Sequence, residues 1–555
     1  MRKGLAELIS VARGELPADL ILANARVINV FSGEIEAGNV AIYGDRIAGV
    51  GDYQRAKRVL DLSGKYIAPG LINGHIHPES SMLDIGQYAR AVVPHGTTAL
   101  ITDLHEIANV CGLEGIKYVL KCARRLPFDL FLMAPSCVPA TDRETAGASL
   151  NTEEIRQLLR RKECIGLGEM MNFPGVLGGD ETVLKKISLA AGKTVDGHAP
   201  GVTGKDLSAY IAAGISSDHE SVSIDEAREK LRQGMTVMIR EGSSEKNLES
   251  LLPLVTDKTY NRCLFIVDDR SCADLLRDGD IDAVVRKAIG LGLDPVRAIQ
   301  LATINPAQYF RRDGLGAVAP GYMANLIVLS DLPQLRIDLV FYQGNIVAQE
   351  GKPLFTLPQA SRGLTDTVNI KPFSIEALRL SASGEATAII EVVPGQIITR
   401  KRIERIKDIP DISRDILKLV VVERHKATGN IGVGLVSSFG LKRGALASSI
   451  AHDSHNIIAV GASDEDIFTA IKEVERLKGG LVAVAGGRVL ASLALPIAGL
   501  LSDQPLEVVV SKLEELEKIA TELGTRLVSP FATLSFLALP VIPEIRLTDR
   551  GMVEL

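Results

Sequence analysis

The sequence predicts an α/β protein: a (β/α)8 TIM-like barrel, a small β-sandwich domain built from both flanks of that barrel, and a separate C-terminal α+β domain. Three observations predict it. Apolar runs alternate with helix-patterned segments over about 250 residues, the length of such a barrel. Short strand-like stretches of one texture flank that region on both sides, and the chain beyond residue 370 carries strands and amphipathic helices of its own. At 555 residues it is too long for one core.

Taken in order, "MRKGLAELISVARGELPADL" mixes charges into a short amphipathic helix and lacks the apolar region and small-residue cleavage site of a signal peptide. Residues 18–62 read as short strands punctuated by Gly and Asp, and "GAVAPGYMANLIVLSDLPQLRIDLVFYQGNIVAQEG" at 316–351 repeats the texture. The two stretches are expected to pair across the insertion, as one small β domain of residues 1–65 plus 312–360. Between them, over 66–311, the runs "TALIT", "FLMAP", "CIGLGEM", "TVDGH", "GISSDH", "MTVMIR" and "LFIVDD" alternate with helical patterns such as "NTEEIRQLLRRK" and "SIDEAREKLRQG". Such alternation means βαβ units and a parallel sheet. A linker is expected at 352–369, then a domain over 370–555 with helices in "DEDIFTAIKEVERLKGG" and "SKLEELEKIATELG". The most apolar stretch, "LVAVAGGRVLASLALPIAGLLS" from residue 481, is interrupted by Gly486, Gly487, Arg488 and Pro496. It reads as a buried strand and helix rather than a membrane span.

The 62 basic and 68 acidic residues leave a net charge of −6, so no global basic field recruits nucleic acid or an anionic membrane. A small soluble ligand is the expected partner. The six cysteines, at 111, 122, 137, 164, 263 and 272, contain no CxxC pair, which points to a reducing cytoplasm.

In a barrel of this kind, polar residues that end apolar strands sit at the C-terminal mouth, where active sites are built. His75, His77, Glu169, His198, His219 and Asp268 all occupy such ends, and the intervals from 77 to 169, 198, 219 and 268 are 92, 29, 21 and 49 residues. With roughly 20 to 30 residues per βα unit, these intervals place the six residues on strands 1, 4, 5, 6 and 8. Residues i and i+2 share a strand face, so the histidines of "GLINGHIHPESS" can chelate one divalent cation. Four histidines with two carboxylates suit a two-metal site bridged by a carboxylate. In "VDDR", Asp268 follows the strand directly and is preferred over Asp269 as the ligand.

"TDLHEIAN" follows the run "TTALIT", which puts Asp103, His105 and Glu106 at the mouth end of the second strand or in capping positions before the next helix. Glu79 and Ser80 lie just past the histidine pair. In "AHDSHN", His452, Asp453, His455 and Asn456 either reach the mouth or form a polar turn in the last domain. His95 and His425 have no comparable company and read as structural.

Other signatures fail. "HEIAN" is not HExxH because its fifth residue is Asn109, "AAGKT" lacks the first glycine of a phosphate loop because residue 187 is Ile, and "GVGLVSSFG" does not fit GxGxxG. The HxE and PCxxC pair of the cytidine-deaminase zinc fold is absent.

The stretches "PGLINGHIHPESSML", "TDLHEIANVCG", "GLGEMMNFPGV", "VDGHAPG", "SDHES", "VDDR" and "FGLKRGALASSIAHDSHNIIAVG" resemble the amidohydrolase superfamily and, within it, the bacterial and archaeal adenine deaminases. Where many amidohydrolases bridge two metals with a carbamylated lysine, this sequence offers Glu169. The resemblance implies that His75, His77, Glu169 and Asp268 hold one metal, and Glu169, His198 and His219 the other. It implies manganese or iron as the metals, zinc being compatible with the same ligands, and a homo-oligomer. By the same resemblance Asp268 is the base; at the mouth end of their strand, Asp103, His105 and Glu106 are expected to contact the purine or relay a proton to a ring nitrogen. Glu79, Ser80, His452, Asp453, His455 and Asn456 would help to bind it. The implied reaction is hydrolytic deamination of adenine in purine salvage, by a metal-activated hydroxide that attacks C6. The rivals are another hydrolase of this barrel, acting on a cyclic amide or amide bond, and a catalytically silent scaffold.

Overall fold

The computed structural model describes residues 4–357, 363–380 and 386–554. After a helix at Leu5–Ala12, the first flank supplies β1 (Ala18–Ile28), β2 (Ile35–Tyr43), β3 (Arg46–Gly51), β4 (Ala56–Asp61) and β5 (Tyr66–Pro69). The barrel strands are β6 (Leu71–Asn73), β7 (Thr97–Thr102), β8 (Asp129–Ala134), β9 (Cys164–Met170), β10 (Thr194–Gly197), β11 (Ser217–Asp218), β12 (Thr236–Arg240) and β13 (Cys263–Ile266). The second flank adds β14 (Leu326–Asp331), β15 (Arg336–Tyr342), β16 (Asn345–Gln349) and β17 (Lys352–Pro353).

The two flanks do pair across the insertion. β14 runs antiparallel to β5, with Val328 opposite Ile67, and completes a nine-stranded sheet in the order β17-β16-β15-β14-β5-β1-β2-β3, with β4 on β1. This sheet rolls over on itself: Ile47 N donates to Tyr322 O and Ala324 N to Asp45 O. The two layers of the predicted sandwich are halves of one sheet, closed over Leu22, Ile42, Leu326 and Phe341.

β6 to β10 form one run of parallel strands and β11 to β13 another. Ser216 N bonds Val195 O at one seam, and at the other Asp268 N bonds His75 O while His77 N bonds Asp268 O, which closes the eight strands into a barrel. Apart from the partly exposed first half of β8, its strands are buried on both faces, as a barrel wrapped by helices demands; all six residues of β7 and all seven of β9 are buried. Gly168 on β9 has a steric purpose, since a Cβ there would lie 2.7 Å from the Cβ of Asp103.

The C-terminal region builds an eight-stranded sheet from β18 (Ala386–Val392), β19 (Thr399–Arg405), β20 (Ile416–Val422), β21 (Ile431–Ser437), β22 (Ala445–Ser448), β23 (Ile457–Gly461), β24 (Gly480–Ala485) and β25 (Arg488–Ala494). The predicted helices appear as Asp464–Arg476 and Leu506–Leu523 and pack on it. The apolar stretch from residue 481 is a β-hairpin and not the expected strand and helix, because Gly486 and Gly487 take positive φ and turn β24 directly into β25. No helix among the described residues is long and apolar enough to cross a membrane. Of the linker expected at 352–369, residues 358–362 lie outside the described residues, and its first two residues are β17.

Candidate active site

His75 and His77 lie just beyond β6, which ends at Asn73, on an extended segment pinned to Asp268 by the bridge that closes the barrel. The alternation expected of a strand persists there, and the two Nε2 atoms converge to 3.1 Å. Asp268 takes φ 61°, a costly conformation for a residue with a Cβ. That backbone directs its Oδ1 to 3.4 Å from His75 Nε2 and 3.3 Å from His77 Nε2. Asp269 points elsewhere, accepting a hydrogen bond from Ser80 and lining the cavity described below.

Glu169, next to last in β9, faces both halves of the mouth. Its Oε1 is 3.3 Å from His77 Nε2 and 3.9 Å from His75 Nε2. Its Oε2 is 2.8 Å from His198 Nδ1 and 3.2 Å from His219 Nε2. His198 and His219 directly follow β10 and β11. Burial opposes the Glu169 charge, but His198, His219 and His77 hold its carboxyl well below the usual range.

These donors fit a pair of divalent cations. Most of their separations fall within the roughly 3.0 to 3.5 Å edges of a coordination shell with bonds of about 2.0 to 2.2 Å. Buried around them lie the carboxylates of Glu79, Asp103, Glu106, Glu169, Glu220, Asp268 and Asp453, and Arg240 is a buried cationic side chain among them. Buried carboxylates in such excess require positive charge. The set His75, His77 and Asp268, and the set His75, Glu169 and His219, each bring three ligand atoms together, and Glu220 can join His198 and His219.

Asp103 follows β7, and the helix His105–Ala123 places His105 and Glu106 in its first turn. These residues open the helix without taking its cap position, which Leu104 occupies with no side-chain cap of its own, and they face the mouth. Asp103 Oδ1 accepts from His105 Nδ1 at 2.9 Å and lies 3.4 Å from His77 Nδ1, the arrangement by which a carboxylate orients a metal-binding imidazole. Glu79 is buried, takes a 3.3 Å bond from Ile107 N, and is pushed up to about 7 by burial. Ser80 is half-buried beside it.

The segment "AHDSHN", between β22 and β23, reaches the barrel. His452 Nδ1 donates to Glu106 Oε1 at 2.6 Å, and its ring stacks on Phe536 at 4.7 Å. His455 Nδ1 accepts from Ala451 N, so its Nε2–H donates to Glu106 Oε2. Burial disfavours charge on both rings, yet the Glu106 carboxylate lifts His452 to about 9, while burial leaves His455 near 4. One imidazolium and one neutral ring therefore share Glu106. Asp453 Oδ1 lies 3.9 Å from His105 Nε2, and burial raises its carboxyl to about 6. Asn456 is not brought to the mouth: it is fully buried, its amide donates to Thr145 O at 2.9 Å, and its carbonyl accepts from Arg424 N. It fastens the segment. His425 does the same, donating from Nε2 to Ser454 O at 2.7 Å, and His95 pairs with Asp282.

Sequence reasoning missed Glu220 and Arg240. Glu220 sits inside the quoted "SDHES" and Arg240 ends β12, so the strand-end rule that nominated the six ligands would have nominated Arg240 too. A cavity of about 290 Å3 opens beside the donors, lined by Ser80, Asp269, Arg270, Ser243, His452 and Phe536 among others.

An eight-stranded barrel with histidines and carboxylates on strands 1, 4, 5, 6 and 8 of its C-terminal mouth defines a metal-dependent hydrolase of the amidohydrolase type. Residues 66–347 match the amidohydrolase family, and residues 396–555 match the adenine deaminase C-terminal domain. An adenine deaminase of Dehalococcoides mccartyi is 63% identical over 100% of this chain and 98% of its own. "Adenine deaminase 2" of Carboxydothermus hydrogenoformans is 48% identical over 100% and 98%, and an adenine deaminase of Methanothrix thermoacetophila 47% over 99% and 98%. The chain belongs to the adenine deaminase family of amidohydrolases. Among solved structures it is similar to a beta-aspartyl dipeptidase from Fervidobacterium islandicum AW-1, with 16% identity, a TM-score of 0.46, and coverage of 61% of this chain and 98% of that one.

Proposed function

We propose that the chain deaminates adenine hydrolytically, adenine and water giving hypoxanthine and ammonia. The observation that carries the reading is the bridging position of Glu169, one oxygen toward His75 and His77 and the other toward His198 and His219, in a chain similar end to end to adenine deaminases. The cavity is near the lower bound of small-molecule sites, about 300 Å3, which suits a single base.

His75, His77, Glu169 and Asp268 would hold one divalent cation and Glu169, His198 and His219 the other; manganese or iron is the pair we propose. When bound, the cations supply the Lewis acidity that makes an attacking water acidic near neutral pH. Asp268 Oδ1 would take one proton from that water and return it to the departing amino group, giving ammonia, while the second water proton, released as the C6 carbonyl forms, balances the proton that ends on the ring nitrogen of hypoxanthine. Glu106, held between His452 and His455, relays a proton to a ring nitrogen together with His105 and Asp103. Ser80 and Asp269 face the base from the cavity wall, and His452 stacked on Phe536 shields it from solvent. In this division residues 66–311 carry the chemistry and residues 370–555 the cover.

Purine salvage in the cytoplasm, by a homo-oligomer, completes the proposal; the absence of a disulfide among the six cysteines supports the compartment. The test is ammonia release from adenine by protein purified with manganese, beside a His75→Ala, His77→Ala double variant. Turnover in the wild type that vanishes in a folded, metal-poor variant supports the reading. No turnover by folded, metal-loaded wild type redirects it to cyclic amides.

A further inference from the structure

Arg240 ends the seventh barrel strand with its guanidinium 5% exposed, amid the ligand cluster. Its Nη1 donates to Asp268 Oδ2 at 2.7 Å and also to Glu220 Oε1, and its Nη2 donates to Glu220 Oε2 at 3.2 Å. Its Nε reaches Asn247 Oδ1 at 3.4 Å, and Asn247 N in turn bonds Arg240 O at 2.9 Å. The guanidinium is therefore clamped by a two-pronged carboxylate on one side and an amide on the other, and the donor it shares with Glu220 holds Asp268. A lysine could supply the charge but not this fork.

We infer that Arg240 is a positioning residue for the reaction proposed above: it holds Asp268 by Oδ2 so that Oδ1 alone faces His75 and His77, and Glu220 fixes Arg240 in turn. A free carboxylate rotates about its Cβ–Cγ bond and offers either oxygen, or both, to a cation. The Asp268 carboxylate is held at both ends, by its left-handed backbone between two barrel-closing hydrogen bonds and by the Arg240 fork. With Oδ2 tied, Asp268 would offer a cation its Oδ1, and that oxygen keeps a fixed direction for accepting and returning a proton. Glu220 contributes a second effect, because Arg240 carries a charge opposite to both carboxylates and keeps them from repelling each other across the mouth.

The test combines two readouts. Metal-loaded wild type, Arg240→Lys, Asn247→Ala and Asp268→Asn are challenged with a chelator, and the half-time of metal release is measured; kcat and KM for adenine are measured in parallel, together with the Arg240→Lys, Asp268→Asn double variant. Partners that orient metal ligands are typically worth about 10- to 100-fold in metal affinity, so Arg240→Lys is expected to release metal at least about 10-fold faster. Its kcat should fall about 100-fold, the scale of a displaced catalytic group, with KM changed by less than about threefold. In the Asp268→Asn background the same substitution should cost almost nothing further, because Arg240 acts through Asp268. Metal release and kcat within about twofold of wild type, or equal losses in both backgrounds, overturn the inference. If Arg240→Lys does not fold, Asn247→Ala decides, since it frees the guanidinium without touching a candidate ligand: about threefold or greater acceleration of release supports the inference, and an unchanged rate overturns it. Wild type that holds metal yet leaves adenine unchanged defeats the proposed function, while the release rates still decide the role of Arg240.

Discussion

Glu106 and His452, 346 residues apart in the chain, meet in a 2.6 Å hydrogen bond at the barrel mouth. With His455 on the second oxygen of Glu106, the C-terminal region completes a set of groups that the barrel begins. Under the proposed mechanism this ties the C-terminal region to the chemistry of the mouth.

Removing the Glu106 charge tests that tie. Glu106→Gln keeps the volume but cannot accept and pass on a proton, so kcat should fall by about 10²- to 10⁴-fold, the usual worth of a general acid–base group. Metal content, measured by elemental analysis, should match wild type because Glu106 lies outside the two ligand sets. His452→Ala should lower kcat as well as raise KM, since it deletes the hydrogen bond that holds Glu106 together with the ring stacked on Phe536. Metal loss in Glu106→Gln would instead place Glu106 among the ligands.

Stripping the metals should cost stability as well as activity. Without cations the buried carboxylates of the mouth repel one another, so chelator-treated protein should melt lower. Added manganese should raise the melting temperature progressively with its concentration, as expected for a ligand of the folded state alone. A melting temperature indifferent to both treatments would contradict the two-cation fit.

Lys230 predicts a structural failure next to the site. It has no exposed surface and donates to Asp218 at 2.9 Å, Glu226 at 2.7 Å and Ala199 O at 2.8 Å, bracing the segments that carry His219 and His198. Lys230→Met would strand Asp218 as a buried charge, at a cost of about 3–5 kcal/mol. Chemical denaturation measures it; a loss under 1 kcal/mol would show that the pair is easily replaced.

Glu517, on the cavity wall, gives a pH signature. Burial, then the neighbouring Asp274 and Glu514, raise its carboxyl from 4.5 to about 7. Between those values the folded chain keeps a proton that the unfolded chain has shed, so the contribution to stability falls as pH rises through the window and stays low above it. Glu517→Gln, which cannot ionise, should melt close to wild type at pH 5 and several degrees higher at pH 8. Equal melting temperatures at both would remove the predicted strain.

The barrel and the six ligand candidates were legible because each sits where an apolar run stops, and the stops recur at the length of a βα unit. The rolled sheet was legible as two stretches of matching texture, but not its continuity, which depends on hydrogen bonds between residues such as Ile47 and Tyr322. The hairpin at 480–494 was misread because a long apolar run fits a buried helix as well as two strands, and its paired glycines settle the matter only as a turn. Arg240 was passed over for its charge: a search for metal ligands collects histidines and carboxylates, and the residue that aims one of them is neither. The alternatives for "AHDSHN" could not be weighed from spacing, since only packing brings residue 452 to residue 106.

The pairing of β5 with β14 bears on how the protein is made. During synthesis β1 to β5 emerge first and must wait for the whole barrel before β14 to β17 can join them, so the early sheet carries an open edge at β5 for some 250 residues of elongation. At about 5–20 residues per second that wait lasts on the order of 10–50 seconds. An unpaired edge invites other chains, which makes the interval between the two flanks the moment when a nascent chain most needs a chaperone.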